Sequence, residues 1–507
     1  MPANLSRLTT LGALAAMVLH VPTAAAGQAG VRRADQAALD AAFQRMVDVH
    51  GLVGLQVAIR GPAGPVYEGT FGYADRAAGT PVTSETLFPS ASVGKAFTSA
   101  ALLSLWERGR IDLNAPIDTY VRRAPDHLSD VTPGLLAVHQ GGIRHYREEE
   151  RTGAFFATHY ENVDDALELF IDDELIMAPG TGTSYSSYGY NLLAAAIERV
   201  GKRPFDEFVL EGVLRPLGLR QTVFHDVRRP PAQLATLYSY SDPSDPRAPR
   251  TDSLFVVPAT RDYSYNAGGG NWLTSARDLA IFGQQAFETT LLGRRARTLQ
   301  SEGAELEDGT PTDVAFGWFA GPTHLGRTSR INGAFVGAYA DLRVYPDRHL
   351  SIAIMTNTSS VGSLNYATDG IAEYLIGEAN DATAALEGAL WFQFRRWEQA
   401  AQAYGRLVEL EPRDQRSLLR LGIALLNAGD LVEARSALWR VGAPQFRDET
   451  YYYRIVLEAL EEDLDAAFQA LDLWSAGGEV NWDALDRDLR LGAFREDPRY
   501  AARHPRR

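Results

Sequence analysis

Two hydrophobic periods share this chain, and the place where one gives way to the other divides it. Leu55-Gln56-Val57-Ala58-Ile59 and Val66-Tyr67-Glu68-Gly69 are short strand-like runs on either side of the turn composition Gly61-Pro62-Ala63-Gly64. Leu342-Arg343-Val344-Tyr345 and Ser351-Ile352-Ala353-Ile354-Met355 repeat that arrangement around Pro346-Asp347-Arg348-His349. Between the two hairpins the apolar residues fall at helical spacing. Ahead of the first hairpin, Ala38 to Val49 also predicts a helix, the first of the chain. Ala96 to Trp106 predicts a buried one, with Phe97, Ala101 and Leu105 four residues apart and Gly109 as its stop. Leu135 to Glu198 reads as helices and loops. Strands at both ends of a segment, with helices between, predict one antiparallel sheet completed by distant parts of the chain.

Beyond about residue 380 the strand patterns vanish. Trp397-Glu398-Gln399-Ala400 and Leu431-Val432-Glu433-Ala434 recur 34 residues apart; Gly388 and Gly422 keep the same offset, as do Tyr404 and Leu438. Pro412 closes the first unit, and a third, degenerate unit runs from Tyr451 to Leu473. The pattern resembles tetratricopeptide repeats, whose small and large positions interlock in helix pairs. An ordinary helical bundle is the alternative. The repeat reading implies a groove for a protein partner or for self-association, and no catalysis. The expected division is therefore 28–380 and 385–507.

Composition narrows the function classes. The chain has 507 residues, 45% apolar and 22% charged, a globular profile with material for two or three domains. A net charge of −15 argues against nucleic acid as a partner, because the phosphate backbone repels such a surface and the arginine pairs Arg32-Arg33 and Arg228-Arg229 are too short to offset it. There is no cysteine, hence no disulfide framework and no thiolate metal site. Arg7, the apolar run Leu8 to Val21 and the small residues Thr23-Ala24-Ala25-Ala26 before Gly27 read as a secretory signal over 1–26. The competing reading is a free apolar N-terminal helix. A cleaved signal predicts an exported protein, periplasmic or extracellular, with no integral membrane segment left after cleavage.

The chemistry begins at Ser92-Val93-Gly94-Lys95, at the head of the apolar helix. Residues three apart on a helix share a face, so the Lys95 amine can reach the Ser92 hydroxyl. A serine hydroxyl needs a neighbour to take its proton, and a buried lysine with a lowered pKa does that. Tyr185-Ser186-Ser187 heads a helical run to Val200, and Asn332-Gly333-Ala334 precedes the alternating segment Tyr339 to Tyr345.

This ordered set resembles the penicillin-recognising serine hydrolases, whose shared pattern is S-x-x-K, then a tyrosine triplet, then a basic-x-G triplet on a strand. The order and wide spacing are most similar to the class C β-lactamase, D-stereospecific peptidase and esterase branch. Gly-Gly-Ile-Arg-His-Tyr at 141–146 and the Tyr-Ser-Ser triplet resemble its mitochondrial serine β-lactamase-like members. Gly72-Tyr73-Ala74-Asp75, Gly268 to Leu279 and Gly317-Trp318-Phe319 look like further landmarks, so the resemblance covers residues 38 to 378.

The resemblance implies an α+β fold: an antiparallel sheet flanked by helices, with a helical subdomain inserted after the Ser92 helix and the active site in the crevice between. It implies acyl transfer on an amide or ester of a small molecule or peptide, with Ser92 as nucleophile and Lys95 and Tyr185 as proton carriers. Ser187, Asn332, Gly333 and Ala334 are the implied substrate-binding residues, and the N–H groups of Ser92 and Ala334 hold the oxyanion. Neither a cofactor nor a metal is called for.

One position departs from the pattern. The basic residue of the third triplet falls on Ile331, and the adjacent Arg330 faces the other side of a strand. Penicillins and D-Ala-D-Ala peptides carry a carboxylate that such a charge would meet, so Ile331 points toward an ester or amide lacking one. It also admits a chain that keeps the fold as a weak or inactive scaffold, with the repeats carrying recognition. His139 and His145 suggest a metal or a triad, but no H-E-x-x-H occurs, and Ser90 occupies the first glycine position of a G-x-S-x-G elbow. His139 is expected to order the loop beside Gly141-Gly142.

Overall fold

A computed structural model describes residues 31, 33–151, 155–245, 248–288, 291–361, 364–377 and 379–504. The expected signal segment, 1–26, lies outside the described residues.

Helix α1, Gln36–His50, opens on Asp35, whose carboxylate accepts the Ala38 N–H, and closes on Gly51 in the left-handed region at φ 66°. Its apolar stripe, Leu39, Phe43 and Met46, is buried. The strands that follow, β1 (Gly54–Gly61) and β2 (Gly64–Asp75), pair around the predicted turn, and β3 (Thr80–Pro81) extends them. Five more strands come from far along the chain: β4 (Val314–Ala315), β5 (Trp318–Thr323), β6 (Gly326–Phe335), β7 (Ala338–Tyr345) and β8 (Leu350–Thr356). The order across the sheet is β3-β2-β1-β8-β7-β6-β5-β4, with every neighbour antiparallel. The N-terminal hairpin thus sits against the last strand, with Leu55 opposite Thr356.

Alternation along β7 separates the two faces of the sheet. Ala340, Leu342 and Val344 enter one core and Tyr339 and Tyr345 the other. The first face is covered by α2 (Gly94–Glu107), buried without a break from Gly94 to Leu105, together with α3 (Ser187–Gly201) and α4 (Ala276–Ala286). The second is covered by α1 and by the first helices of the C-terminal region.

That region is helical throughout: α5 (Asn365–Ile376), α6 (Ala382–Gln393), α7 (Trp397–Leu410), α8 (Gln415–Ala428), α9 (Leu431–Arg440), α10 (Arg447–Leu460) and α11 (Leu464–Ser475). The 34-residue offset has a packing counterpart. Gly388 faces the Tyr404 ring, and Gly422 faces the Leu438 side chain. The apolar core does not stop at residue 380. Leu386 and Leu390 of α6, Tyr404 of α7 and Ala424 of α8 belong to the same cluster as Leu39, Phe43 and Ile354. Among the described residues no helix is long and apolar enough to cross a membrane.

Candidate active site

The segment before α2 is bent to present a serine. Phe88–Pro89 pairs with the strand Trp272–Thr274, and the Ser90 N–H donates to the Trp272 carbonyl at 2.8 Å. Ala91 then takes φ 45°, a conformation costly for a residue with a Cβ. Ser92 is the middle residue of the one-turn helix Ala91–Val93 that feeds α2. Its N–H therefore lies among the first-turn donors that have no acceptor within a helix.

One turn on, Lys95 is 1% exposed. Its Nζ donates to Ser92 Oγ at 3.3 Å, to Ser187 Oγ at 2.9 Å and to the Gly269 carbonyl at 2.9 Å, one acceptor for each proton of an ammonium. Burial pulls its pKa below the ordinary lysine value, and the Tyr185 phenol beside it opposes that pull. The Tyr185 hydroxyl donates to Ser92 Oγ at 2.7 Å, so serine, lysine and tyrosine meet at one oxygen.

Two histidines hold the tyrosine. The His139 ring lies 4.5 Å from the Tyr185 ring, and the His145 ring stands edge-on to it at 5.3 Å. His139 Nδ1 accepts the Ser186 N–H and His145 Nδ1 accepts the Ser187 N–H, each at 3.2 Å. Both therefore act as neutral acceptors at Nδ1. Burial, with Lys95 and His145 nearby, pushes the His139 pKa well below its usual value. His139, expected to order the loop beside Gly141-Gly142, instead accepts the Ser186 N–H with its ring and so fixes the backbone that carries Tyr185. The sequence offered no signal for His145 in that role.

The Gly268-Gly269-Gly270 run, a landmark without an assigned role in the sequence, supplies the floor. Thr98 Oγ1 donates to the Gly268 carbonyl at 2.7 Å, the Gly268 N–H donates to Asn191 Oδ1 at 3.1 Å, and the next carbonyl receives Lys95. A side chain on Gly270 would overlap the Ala91 carbonyl. Three consecutive glycines were the available sign that backbone approaches backbone here.

The fourth wall is β6. A Cβ on Gly333 would sit 2.5 Å from both the Ser92 nitrogen and the Ser90 carbonyl oxygen, so the strand lies directly against the serine turn. In an antiparallel ladder the hydrogen-bonded pairs alternate. Counted from the two-residue turn Val336-Gly337, which closes on the Phe335–Ala338 pair, the Ala334 N–H points away from β7. It faces the side where pairing with β5 has ended at Phe319–Arg330. Asn332 is exposed and alternates to the face opposite Gly333. Ile331 is 4% exposed and packs into the core beneath the sheet. Arg330 lies over the Phe319 ring, 3.4 Å from Asp313. Ser187, expected to meet substrate, is buried and bonded to Lys95.

A family model for Beta-lactamase matches residues 39–376. The mitochondrial serine beta-lactamase-like protein LACTB of Homo sapiens is 26% identical over 307 residues, 48% of this chain and 54% of that relative. The chain thus spans about half the length of that relative. Penicillin-binding protein 4* of Bacillus subtilis is 24% identical over 352 residues, 67% of this chain and 75% of its own. Among solved structures, the octameric penicillin-binding protein homologue from Pyrococcus abyssi superposes with a TM-score of 0.57 at 22% identity, over 71% of this chain and 80% of that one. With its sheet, its serine turn and a family match over most of the first 376 residues, the chain belongs to the Beta-lactamase family, the penicillin-recognising serine hydrolases.

Proposed function

We propose that this chain hydrolyses a neutral ester or amide through an acyl-enzyme on Ser92. The observation that carries the reading is the convergence of Lys95 Nζ and the Tyr185 hydroxyl on Ser92 Oγ, with the lysine buried. The Ser92 oxygen attacks the acyl carbon as its proton passes to the lysine–tyrosine pair. Burial makes the neutral amine accessible to Lys95, and Tyr185 returns the proton to the departing oxygen or nitrogen. The N–H groups of Ser92 and Ala334 receive the negative oxygen of the tetrahedral intermediate. Water then attacks the ester on Ser92, with the same pair acting in reverse. Ser187 and Gly269 hold the Lys95 amine in place throughout, and Gly333 and Ala334 form the part of the strand along which the acyl group lies.

Ile331 favours substrates without a carboxylate beside the scissile bond. The residue at the basic position of the triplet is aliphatic and turned into the core, so that position offers such a carboxylate no charge-assisted hydrogen bond, an interaction worth about 1.5–3 kcal/mol. Export, directed by residues 1–26, and recognition of a protein partner or self-association through tetratricopeptide-like units within 385–507 complete the reading. The paired small and large residues, Gly388 with Tyr404 and Gly422 with Leu438, support the repeat.

Intact mass after incubation with a fluorophosphonate and, separately, a penicillin tests the assignment. A fluorophosphonate adduct on Ser92, with slow or absent penicillin acylation, is the expected result. Absence of both adducts favours the second reading, a scaffold that keeps the fold without turnover, to which Ile331 also lends support. Rapid penicillin acylation overturns the substrate preference and leaves the nucleophile standing.

A further inference from the structure

At the far end of α3 from Ser187, four cations line one cleft of about 850 Å³: Arg122, Arg199, Lys202 and Arg203. All four are exposed, and among the described residues none makes an ion pair or a side-chain hydrogen bond. Two carboxylates share the cleft, Asp164 and Glu198. Glu198 is already occupied, since its Oε2 accepts the Phe205 N–H at 2.9 Å. Two of the carbonyls at the helix end, which would repel an anion, are also taken. Glu198 O accepts the Lys202 N–H, and Val200 O accepts the Arg110 guanidinium. Four cations against two carboxylates leave an excess of two positive charges, in a chain whose net charge is −15. A concave site of one sign, set in a surface of the other, concentrates counter-ions of matching charge.

We infer that this cleft binds a dianion of the phosphate-monoester type. Such a group carries about −1.5 to −2 charges at neutral pH and three acceptor oxygens. Guanidinium forks match tetrahedral and planar oxyanions, and the lysine adds a point charge. A monocarboxylate would leave the excess half neutralised. The site is separate from the serine. Helix α3 runs 15 residues from Ser187 to Gly201, and at 1.5 Å per residue its ends are about 20 Å apart. A ligand held here is thus bound outside the Ser92 crevice, either by itself or as the anionic part of a longer molecule.

The chain itself provides the probe. Its only lysines are Lys95, buried under Ser92, and Lys202, exposed in the cleft. Acylation of the full chain by a water-soluble succinimidyl ester, read by peptide mass, therefore reports on Lys202. Glycerol 3-phosphate at millimolar concentration is expected to slow that acylation at least threefold, while sodium chloride at matched ionic strength and sodium acetate leave it unchanged. Calorimetric binding of glycerol 3-phosphate should weaken at least tenfold, about 1.4 kcal/mol, in Arg199→Gln and in Arg203→Gln, as expected when one charge-assisted hydrogen bond is lost. Equal protection by chloride overturns the inference, since it would mark general screening. So does binding that survives both substitutions. Protection by phosphatidylglycerol vesicles without protection by the soluble monoester overturns it in favour of a membrane surface. If a variant fails to fold, the protection experiment on the unmodified chain still decides.

Discussion

At the scale of single residues, the site is a set of protons with assigned places. Ser92→Ala should abolish acylation by any ester, and Lys95→Ala and Tyr185→Phe should each lose about a hundredfold or more, the usual contribution of a positioned acid or base. Initial rates with a chromogenic ester measure all three, and near-normal kinetics in either relay variant would mean that the relay is drawn wrongly. The pH dependence follows from burial. A desolvated amine gives up its proton at lower pH than an exposed one, and the Lys95 pKa is lowered. The rate should therefore rise with pH along an acid limb below the ordinary lysine value; a limb at that value would exclude neutral Lys95 as the base. His139 acts through the backbone. Replacing it with leucine leaves the buried Ser186 N–H without its acceptor, which costs about 1–3 kcal/mol. Urea denaturation of His139→Leu should show that loss together with a lower kcat. An unchanged midpoint would mean that the N–H finds another partner.

At the scale of elements, the closest approach is between β6 and the serine turn. Gly333→Ala places a methyl group 2.5 Å from the Ser92 nitrogen and the Ser90 carbonyl, both backbone atoms that cannot rotate away. Acylation should fall by at least tenfold in a protein whose circular dichroism is unchanged; full activity would show that β6 can retreat from Ser92 at no cost. Much at this scale was legible in advance. The two hairpins, α1 and α2 are periodic over enough residues to declare themselves, and S-x-x-K places its partners through helix geometry alone. The eight-strand order was not legible, because pairing β1 with β8 joins residues some 300 positions apart and no local pattern encodes that choice. The histidine clamp was hidden for the same reason: Ser187 and His145 meet through the folding of loops, and a lone histidine in a sequence has no period to betray it. Ser187 could be assigned to substrate from its triplet position, yet only packing reveals that its hydroxyl is spent on Lys95.

At the scale of the whole molecule, the question is whether the helices after residue 380 form an appendage or a wall. Sequence periodicity changes sharply there, but periodicity reports the local element and not what it packs against. In the fold, α6 lies along α1: Leu386 and Leu390 share a core with Leu39 and Phe43, and Glu387 meets Arg45 at 3.1 Å and Arg406 at 2.6 Å. On the β5–β6 hairpin, Leu325 joins that same core, while His324 pairs with Glu373 and lies 5.3 Å from the Phe446 ring of the short turn before α10. The exposed part of the Arg45 pair contributes little. The apolar contacts contribute more, since burying one leucine is worth about 1.5–3 kcal/mol and a typical domain is stable by only about 5–15 kcal/mol. Ending the chain at residue 380 should therefore lower its melting temperature by ten degrees or more and expose the outer face of α1 to a hydrophobic dye. The catalytic groups sit on the opposite face of the sheet, so fluorophosphonate labelling of Ser92, measured well below that lowered transition, should keep its rate. A shortened chain that melts with the full one would show that the helical region is a separate body. One that is folded yet unlabelled would show that the helices reach the site through the sheet.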